Sequence, residues 1–353
     1  MAFAVQGQDE AINNKQHLNL SMTAYDVVQN DMFAFNEEKL SGFINRIFEN
    51  YYPEANASIS RTLNKLYGNL SKLFLNIRGD EKTKDVTIKT MLESRKKEIE
   101  TKNASYENGK SFKFWLNTKN LCYLTETDSE CEEDLYYSSR GKYIKCVIEE
   151  YSRLSYIERE KIYYNNWVKS INEAIKSENQ LRIATKDNKI YSVYPYDLLC
   201  DPLSTANYLI GYCKRYGFAE DELKPCSFRL SALDAVKVEK SKSAFLKASE
   251  RTNLAKVIAS RGVQFMVGKE AEILVKLTEE GLRKYQRQSH LRPILVEKKS
   301  DNVFLFQCTT AQAEFYFFKF GKDAEILSPS FLRSKFFEMY LAAQNAYNDK
   351  EAP

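Results

Sequence analysis

Tyrosines and basic residues alternate along predicted strands between residues 191 and 230, and this mixture is the clearest chemical feature of the chain. The residues concerned are Tyr194, Tyr208, Tyr212, Lys214, Arg215, Phe228 and Arg229. Aromatic rings stack on unpaired bases at about 1–3 kcal/mol each, and guanidinium groups clamp phosphates through paired hydrogen bonds. The combination favours a surface for single-stranded nucleic acid. The alternative is that the tyrosines fill a core while the cations keep only their charged ends in water.

A second group of cations further along the chain is a candidate phosphate-binding surface. Its arginines are Arg283, Arg287 and Arg292. Basic residues also outnumber acidic ones between Lys237 and Arg261, whereas residues 126–134 form an acidic run. This asymmetry favours a basic face that meets phosphates, although ordinary solvated helix faces carry similar charge runs.

Residues able to catalyse a reaction are scarce. The two histidines are His17 and His290, and neither has the spacing of a metal site or of a nucleophile with its base. The 12 glycines form no phosphate-binding loop. We therefore expect a protein that is not an enzyme and that uses no metal or cofactor.

The composition is that of a globular protein in a reducing compartment. The chain has 353 residues, of which 43% are hydrophobic and 28% charged, and this length suits two or three domains. Its seven cysteines form no Cys-x-x-Cys pair, and neither an apolar leader nor a membrane-length apolar run is present. These features predict a cytoplasmic protein with free thiols and no membrane partner.

The N-terminal part is predicted to contain one strand and two helices. Residues 1–24 are polar and aperiodic, so we expect a flexible arm. Residues 31–36 alternate aromatic side chains as a short strand does, and Asn36 is a candidate cap for the helix that follows. Apolar residues then recur at helical spacing from Leu40 to Phe48 and from Leu63 to Phe74.

One strand followed by two helices resembles the ribbon-helix-helix family over residues 25–78. In that family two chains pair their strands into a ribbon, so the resemblance implies a homodimer. The outward side chains of such a ribbon read bases, and the second helix holds a phosphate. If Phe33 and Phe35 face inward, Asn36 is the one outward residue able to bond to a base edge. We therefore expect a dimerisation domain with few side chains that could read a DNA sequence.

Residues 79–165 are predicted to form a mixed connector. Strand-like runs at 112–116 and 121–124 precede the acidic run, and helical spacing extends from Tyr143 to Tyr151. We assign no chemistry to this segment.

Short strands follow one another after residue 180 and predict a small, strongly bent sheet or barrel. An amphipathic helix at 168–175 precedes strands at 181–184, 190–194, 208–213, 226–230 and 235–238. Pro195 is expected to stop the second strand because proline cannot donate a ladder hydrogen bond.

This series of strands resembles a WYL domain, which we place at residues 166–248. The resemblance is carried by Pro195, Leu198, Tyr208-Leu209, Gly211-Tyr212-Cys213 and Phe228-Arg229-Leu230. It implies an Sm-like small β-barrel that binds nucleic acid or nucleotide-like ligands, with Arg229 facing the ligand. Asn207 stands where the family has Trp. The family's usual Arg, Asp and Arg are also replaced, by Cys226, Ser231 and Ala232.

Residues 249–353 resemble the extension that commonly follows WYL domains. The predicted elements are strands at 262–267 and 303–308, a helix at 311–320 ended by Gly321, and a last helix to Tyr347. The resemblance implies a ferredoxin-like module that contacts the partner subunit and can border the ligand. The whole chain is then an α+β protein.

The order of these three parts resembles the WYL-domain accessory proteins of type VI-D CRISPR systems. The resemblance implies a single-stranded RNA-binding protein that modulates an RNA-guided RNA-targeting nuclease, and in that family the effect is stimulation. The expected partners are single-stranded RNA, the RNA-guided CRISPR effector nuclease and a second copy of the chain. The alternatives are a WYL-domain DNA-binding transcriptional regulator that senses a nucleotide-like or nucleic-acid ligand, and a dimeric scaffold without nucleic acid.

Overall fold

The computed structural model divides the chain into two compact units. It describes residues 14–55, 59–75, 77, 79–104, 109–128, 140–201, 205–217, 222–239, 246–266, 268 and 270–348. Unit 1 is Met1–Asn165 and unit 2 is Asn166–Pro353. Each unit combines helices with antiparallel strand pairs, so the α+β prediction is confirmed. No helix within the described ranges is both long and apolar enough to cross a membrane.

Unit 1 combines a two-stranded ribbon with helices. Its elements are β1 (Lys15–Ser21), α1 (Met22–Phe35), α2 (Leu40–Tyr51), α3 (Ile59–Leu75), α4 (Glu81–Ala104), β2 (Gly109–Trp115), α5 (Thr118–Asp128), α6 (Arg140–Ser152) and α7 (Tyr156–Tyr163). The ribbon is antiparallel and runs from the pair Lys15–Trp115 to the pair Ser21–Gly109. The predicted helices α2, α3 and α6 and the predicted strand β2 are confirmed.

The strand predicted at 31–36 is wrong, because these residues complete α1. Phe33 is 90% exposed whereas Phe35 is buried, since residues two apart on a helix point in nearly opposite directions. Asn36 ends α1 in a left-handed conformation that asparagine tolerates, and α2 begins only at Leu40. The strand predicted at 121–124 is also wrong, because it lies in α5.

The ribbon of unit 1 forms within one chain. β1 lies in residues that the sequence predicted to be a flexible arm, and its partner is β2. The flexible-arm prediction is therefore wrong for Lys15–Ser21, and residues 1–13 lie outside the described residues. The described residues between 25 and 78 are helical or connecting, and the strand on which the two-chain ribbon depended is not among them. Because the ribbon needs no strand from a second chain, it no longer implies a homodimer, and the homodimer stays a prediction.

A buried ion pair joins α1 to α7. The Arg159 guanidinium donates to both carboxylate oxygens of Asp31, from Nε at 2.7 Å and from Nη2 at 3.1 Å. The Tyr151 hydroxyl also donates to Asp31, at 2.7 Å. Burial raises the pKa of Tyr151 well above its usual range, so its phenol stays protonated as a donor.

Unit 2 begins with a helix and a five-stranded antiparallel sheet. The elements are α8 (Asn165–Lys176), β3 (Gln180–Thr185), β4 (Ile190–Cys200), β5 (Asn207–Arg215), β6 (Lys224–Arg229), β7 (Leu233–Glu239) and α9 (Ala248–Arg261). The strand order is β6-β5-β4-β3-β7, and a 3-10 turn at Leu230–Ala232 precedes β7. All five strands were predicted. Pro195 does not stop β4, however, because the register shifts beside it and the strand continues.

The rest of unit 2 is a four-stranded sheet with helices, which we call the C-terminal module. Its elements are β8 (Glu270–Leu277), α10 (Glu279–Arg287), β9 (Ile294–Ser300), β10 (Val303–Thr309), α11 (Thr310–Phe317), β11 (Ala324–Ser328) and α12 (Ser330–Asn348). The antiparallel order is β11-β8-β10-β9, with a βαββαβ connectivity. The strand predicted at 262–267 is wrong, because Gly262 caps α9 and a 3-10 turn follows. Gly321 takes a positive φ of 59° and interrupts the helical segment, as predicted.

Candidate nucleic-acid interface

The pleat of the five-stranded sheet divides the predicted binding residues between two faces. Alternate residues of a strand share a face, and so do directly opposed residues of neighbouring strands. One face, which we call the outer face, carries Tyr194, Tyr208, Tyr212, Lys214 and Arg229. Arg215 and Phe228 lie on the inner face, where the Phe228 ring packs against Tyr191 with centroids 5.1 Å apart. The sheet therefore places five of the seven residues on one face, spread along its length.

Helix α9 and the turn after it cover the centre of the outer face. Tyr212 is only 8% exposed and packs with Leu254 and Met266, and its hydroxyl accepts a hydrogen bond from Asn253 Nδ2 at 2.9 Å. Tyr194 and Tyr208 are partly buried against the same cluster. The prediction that Tyr212 stacks on a base needs correction, because its ring already belongs to the core in this structure.

One end of the outer face is left open and carries a row of cations. We call Lys214, Arg182 and Lys237 the cationic row. Ser192 lies between the first two, since it pairs with Lys214 on one side and with Arg182 on the other. Arg182 in turn pairs directly with Lys237 of β7. Neighbouring strands lie about 4.8 Å apart, so four strands spread the row over about 14 Å.

Tyr216 and Glu239 hold the side chain of Arg182, the middle residue of the cationic row. The Arg182 guanidinium lies over the Tyr216 ring, 4.9 Å from its centroid, and Nη1 donates to the Tyr216 hydroxyl at 3.0 Å. Arg182 Nε also pairs with Glu239 at 3.0 Å. Tyr216 remains 42% exposed. An arginine held in this way presents its remaining donors in a defined direction, and the aromatic surface beside it can accept a base.

Arg229 lies at the opposite end of the outer face. It is exposed, pairs across the ladder with Tyr208, and donates from Nη2 to the Thr205 carbonyl at 3.3 Å. From Tyr208 to Lys214 the strand advances about 20 Å, at about 3.3 Å per residue. The outer face thus has two basic ends separated by the part that α9 covers.

The second predicted group of cations belongs to the C-terminal module. Arg283 makes ion pairs with two glutamates of its own helix, at 3.1 Å and 3.3 Å. Arg292 lies over the Tyr285 ring and donates weakly to carbonyls at the end of α10, a favourable position for a cation. Arg287 is exposed on α10. Two of these three arginines thus have partners in their own module.

Sequence reasoning missed Arg182 and Tyr216. Arg182 alternates with two buried residues of β3, which indicates an outward side chain but not its neighbours. The missing information was the register that aligns β3 with β4 and β7. Tyr216 follows directly on β5, where its backbone N–H donates to the Ile190 carbonyl at 3.0 Å.

The described residues include six cysteines. All six of them are free, as predicted, and burial raises the pKa of the Cys226 thiol well above its usual range. Within the described ranges, no group of three or more His, Cys, Asp or Glu residues is arranged to hold a metal ion.

Comparisons with known proteins include a solved structure that is similar over nearly the whole length of the chain. No family model and no curated protein matches. A structure described as a CRISPR Cas-related protein superposes with a TM-score of 0.74 at 24% identity, covering 96% of this chain and 95% of that one. Proteasome accessory factor B/C (PafBC) of Arthrobacter aurescens matches with a TM-score of 0.27 at 14% identity, covering 64% of this chain and 35% of that one. The first similarity shows a shared fold, and the second is too low to support an argument.

Proposed function

We propose that this chain is a non-enzymatic accessory protein that binds single-stranded RNA and modulates an RNA-guided, RNA-targeting CRISPR nuclease. The observation that carries the proposal is the cationic row with Tyr216 beside it, at the open end of the outer face. The fold shared with a protein described as CRISPR Cas-related supports a CRISPR accessory role in general, and the nuclease as partner is part of the proposal. Cytoplasmic localisation belongs to the same proposal.

The geometry of the open end suits a single strand better than a duplex. Bases of a single strand are free to stack on Tyr216, whereas those of a duplex are already stacked on one another. The row supplies three cations across four neighbouring strands, so a flexible backbone can pass from one to the next. Arg229 is then a second contact at the far end of the same face.

The two sheets support the finer assignments made from sequence. The order β6-β5-β4-β3-β7, with a 3-10 turn before the last strand, fits the Sm-like barrel of a WYL domain at residues 166–248. The order β11-β8-β10-β9 fits a ferredoxin-like module within residues 249–353. Both assignments are part of the proposal.

Arg229→Ala is expected to weaken binding of a single-stranded RNA about tenfold, or about 1.4 kcal/mol. The variant removes an exposed guanidinium, so it loses a phosphate contact without leaving a buried group unpaired. Fluorescence anisotropy with a labelled oligonucleotide measures the change. Arg287→Ala is the comparison, because Arg287 is exposed in the C-terminal module. A larger loss for Arg287→Ala would place the RNA on the second group of cations instead.

We further propose that the protein is a homodimer joined through α12. Phe337 is 68% exposed on this helix, and Phe331 and Leu341 are exposed with it. The helix borders a groove of about 520 Å³ that Phe336 and Tyr340 also line. Large exposed apolar patches mark interaction sites, and the extension that this module resembles contacts the partner subunit.

Phe337→Glu is expected to convert the dimer into a monomer, because a charge would have to be desolvated at the interface. Sedimentation equilibrium of the full chain measures the mass. Phe33→Glu is the matched control, since Phe33 is also exposed but lies on α1 of unit 1, and it should leave the dimer intact. A dimer that survives Phe337→Glu would show that another surface joins the subunits.

A further inference from the structure

Helices α3 and α4 of unit 1 form a hairpin in which the apolar side chains of α3 are incompletely covered. Among the described residues, the two helices pack mainly against each other. The apolar residues of α3 recur at helical spacing, yet none of residues 62–75 is fully buried. By contrast, α2 of the same unit buries Phe43, Ile44, Ile47 and Phe48. One neighbouring helix therefore covers only part of the apolar stripe of α3.

Exposed apolar side chains are concentrated where the hairpin turns from α3 into α4. Large aliphatic residues on both sides of this turn are between 49% and 79% exposed, namely Leu73, Leu75, Ile77 and Val86. A single exposed apolar residue is ordinary on a protein surface. Several that lie so close together in the chain form a patch of the kind that marks an interaction site.

A row of residues leads away from this patch along one side of α3. Its members follow one another at intervals of three, four and three residues, so they share a side of the helix: Lys65, Gly68, Lys72 and Leu75. We call them the α3 row. Both lysines are exposed, and the sequence of α3 contains no Asp or Glu. The α3 row therefore complements an acidic surface.

Gly68 lies in the middle of the α3 row, where the fold itself does not require a glycine. Glycine is less favourable than alanine inside a helix, because it loses more backbone entropy on folding. A Cβ atom at this position would meet no described atom within 4 Å. The packing of the described residues thus leaves room for a side chain. A partner that approaches the helix backbone closely would account for the glycine.

We propose that the hairpin docks onto a protein partner, the RNA-guided nuclease of the proposed function. The surface that fits has an apolar pocket for the turn of the hairpin and acidic side chains for Lys65 and Lys72. A nucleic-acid backbone pairs with lysines but leaves aliphatic side chains exposed. Pairing of the α3 row with its own copy would bring like charges together. The inference rests on the proposed function, but its site is on unit 1 and the RNA site is on unit 2.

The test measures two properties of the full chain with the purified nuclease and its guide RNA. Biolayer interferometry gives the affinity for the nuclease complex, and a cleavage assay gives the effect on the rate of target-RNA cleavage. Leu75→Ser/Ile77→Ser changes the turn, and Lys65→Glu/Lys72→Glu reverses the charge of the α3 row. Each variant is expected to weaken binding to the complex by about tenfold or more and to reduce the effect on cleavage.

The matched control is Lys89→Glu/Lys96→Glu. It reverses two exposed cations of α4 that have the same seven-residue spacing as Lys65 and Lys72, and it should leave binding and cleavage unchanged. Affinity for single-stranded RNA should be the same in all three variants, because the RNA site is on unit 2. The substituted side chains are exposed, so the variants should fold as the unmodified chain does.

Gly68→Ala provides a test in which stability and binding change in opposite directions. Alanine favours the helix, so the Tm should rise by about 2–4 °C. Binding to the nuclease complex should weaken about tenfold, because the added methyl group prevents close approach to the backbone. A higher Tm with unchanged binding would overturn the contact at Gly68.

The remaining outcomes separate this inference from the proposed function. If the unmodified chain alters cleavage and both hairpin variants alter it equally, the docking surface is overturned and the proposed function stands. If the unmodified chain neither binds the complex nor alters cleavage, both fail. Loss of affinity for single-stranded RNA in the α3 row variant would assign the row to RNA. A lower mass in sedimentation equilibrium would assign it to a second copy, and either result would overturn the docking surface.

Discussion

Replacement of Arg159 by methionine is expected to lower the free energy of unfolding by about 3–5 kcal/mol. Asp31 is almost fully buried and receives two hydrogen bonds from the guanidinium. The variant removes the cation from the buried carboxylate and keeps the Tyr151 hydroxyl as a neutral hydrogen-bond donor, so the cost of desolvating the charge is no longer offset. Urea denaturation followed by circular dichroism measures the loss.

Two further variants separate the charge effect from ordinary packing. Tyr151→Phe removes one hydrogen bond to the same carboxylate and should cost about 1 kcal/mol. Arg159→Met/Asp31→Leu removes both charges and should be more stable than Arg159→Met alone. If Arg159→Met were no more harmful than Tyr151→Phe, the ion pair would not be what stabilises the junction of α1 and α7.

Removal of the cationic row is expected to weaken binding of single-stranded RNA on the order of 100-fold at low salt, or about 2.7 kcal/mol. The variant is Arg182→Gln/Lys214→Gln/Lys237→Gln. Each phosphate contact on a single strand contributes about 0.7 to the slope of log K against log salt, so the slope should become shallower by about 2. Anisotropy titrations over a series of salt concentrations provide both quantities.

The control for the row variant must remove the same charge from elsewhere. Lys82→Gln/Lys89→Gln/Lys96→Gln takes three exposed cations from α4 and should change RNA affinity little. Arg182 also pairs with Glu239, so the unfolding free energy of the row variant is measured alongside. An equal loss of affinity in the two variants would show that net charge, and not the row, determines binding.

The sequence predicted those helices and strands in which the apolar residues recur at a distinctive spacing. The apolar spacing of α2 and α6 and the strands β3 to β7 of the five-stranded sheet were visible because each is defined by residues near in sequence. The prediction of a strand at 31–36 was wrong because two alternating aromatic residues are too few to distinguish a strand from the last turn of α1. The ribbon was placed wrongly because β1 and β2 are far apart in the sequence, and no local signal identifies the partner of a strand.

For the candidate interface, the sequence could predict only which residues of one β-strand share a face. The spacing of Tyr208, Tyr212 and Lys214 puts them on one face of any strand that contains them. That α9 covers Tyr212 was not predictable, because this contact joins residues more than 40 positions apart, as the bond to Asn253 shows. Arg182 and Lys237 join Lys214 only through the register of four strands, which is a property of the folded sheet.

Unit 2 is proposed to bind single-stranded RNA through the open end of its outer face. The most direct measurement titrates the full chain into labelled single-stranded RNA at two salt concentrations, with unlabelled duplex DNA, duplex RNA and single-stranded RNA as competitors. We expect binding that weakens as salt rises, with displacement by single-stranded RNA and little by either duplex. Equal displacement by all three competitors, or binding that does not depend on salt, would contradict the claim.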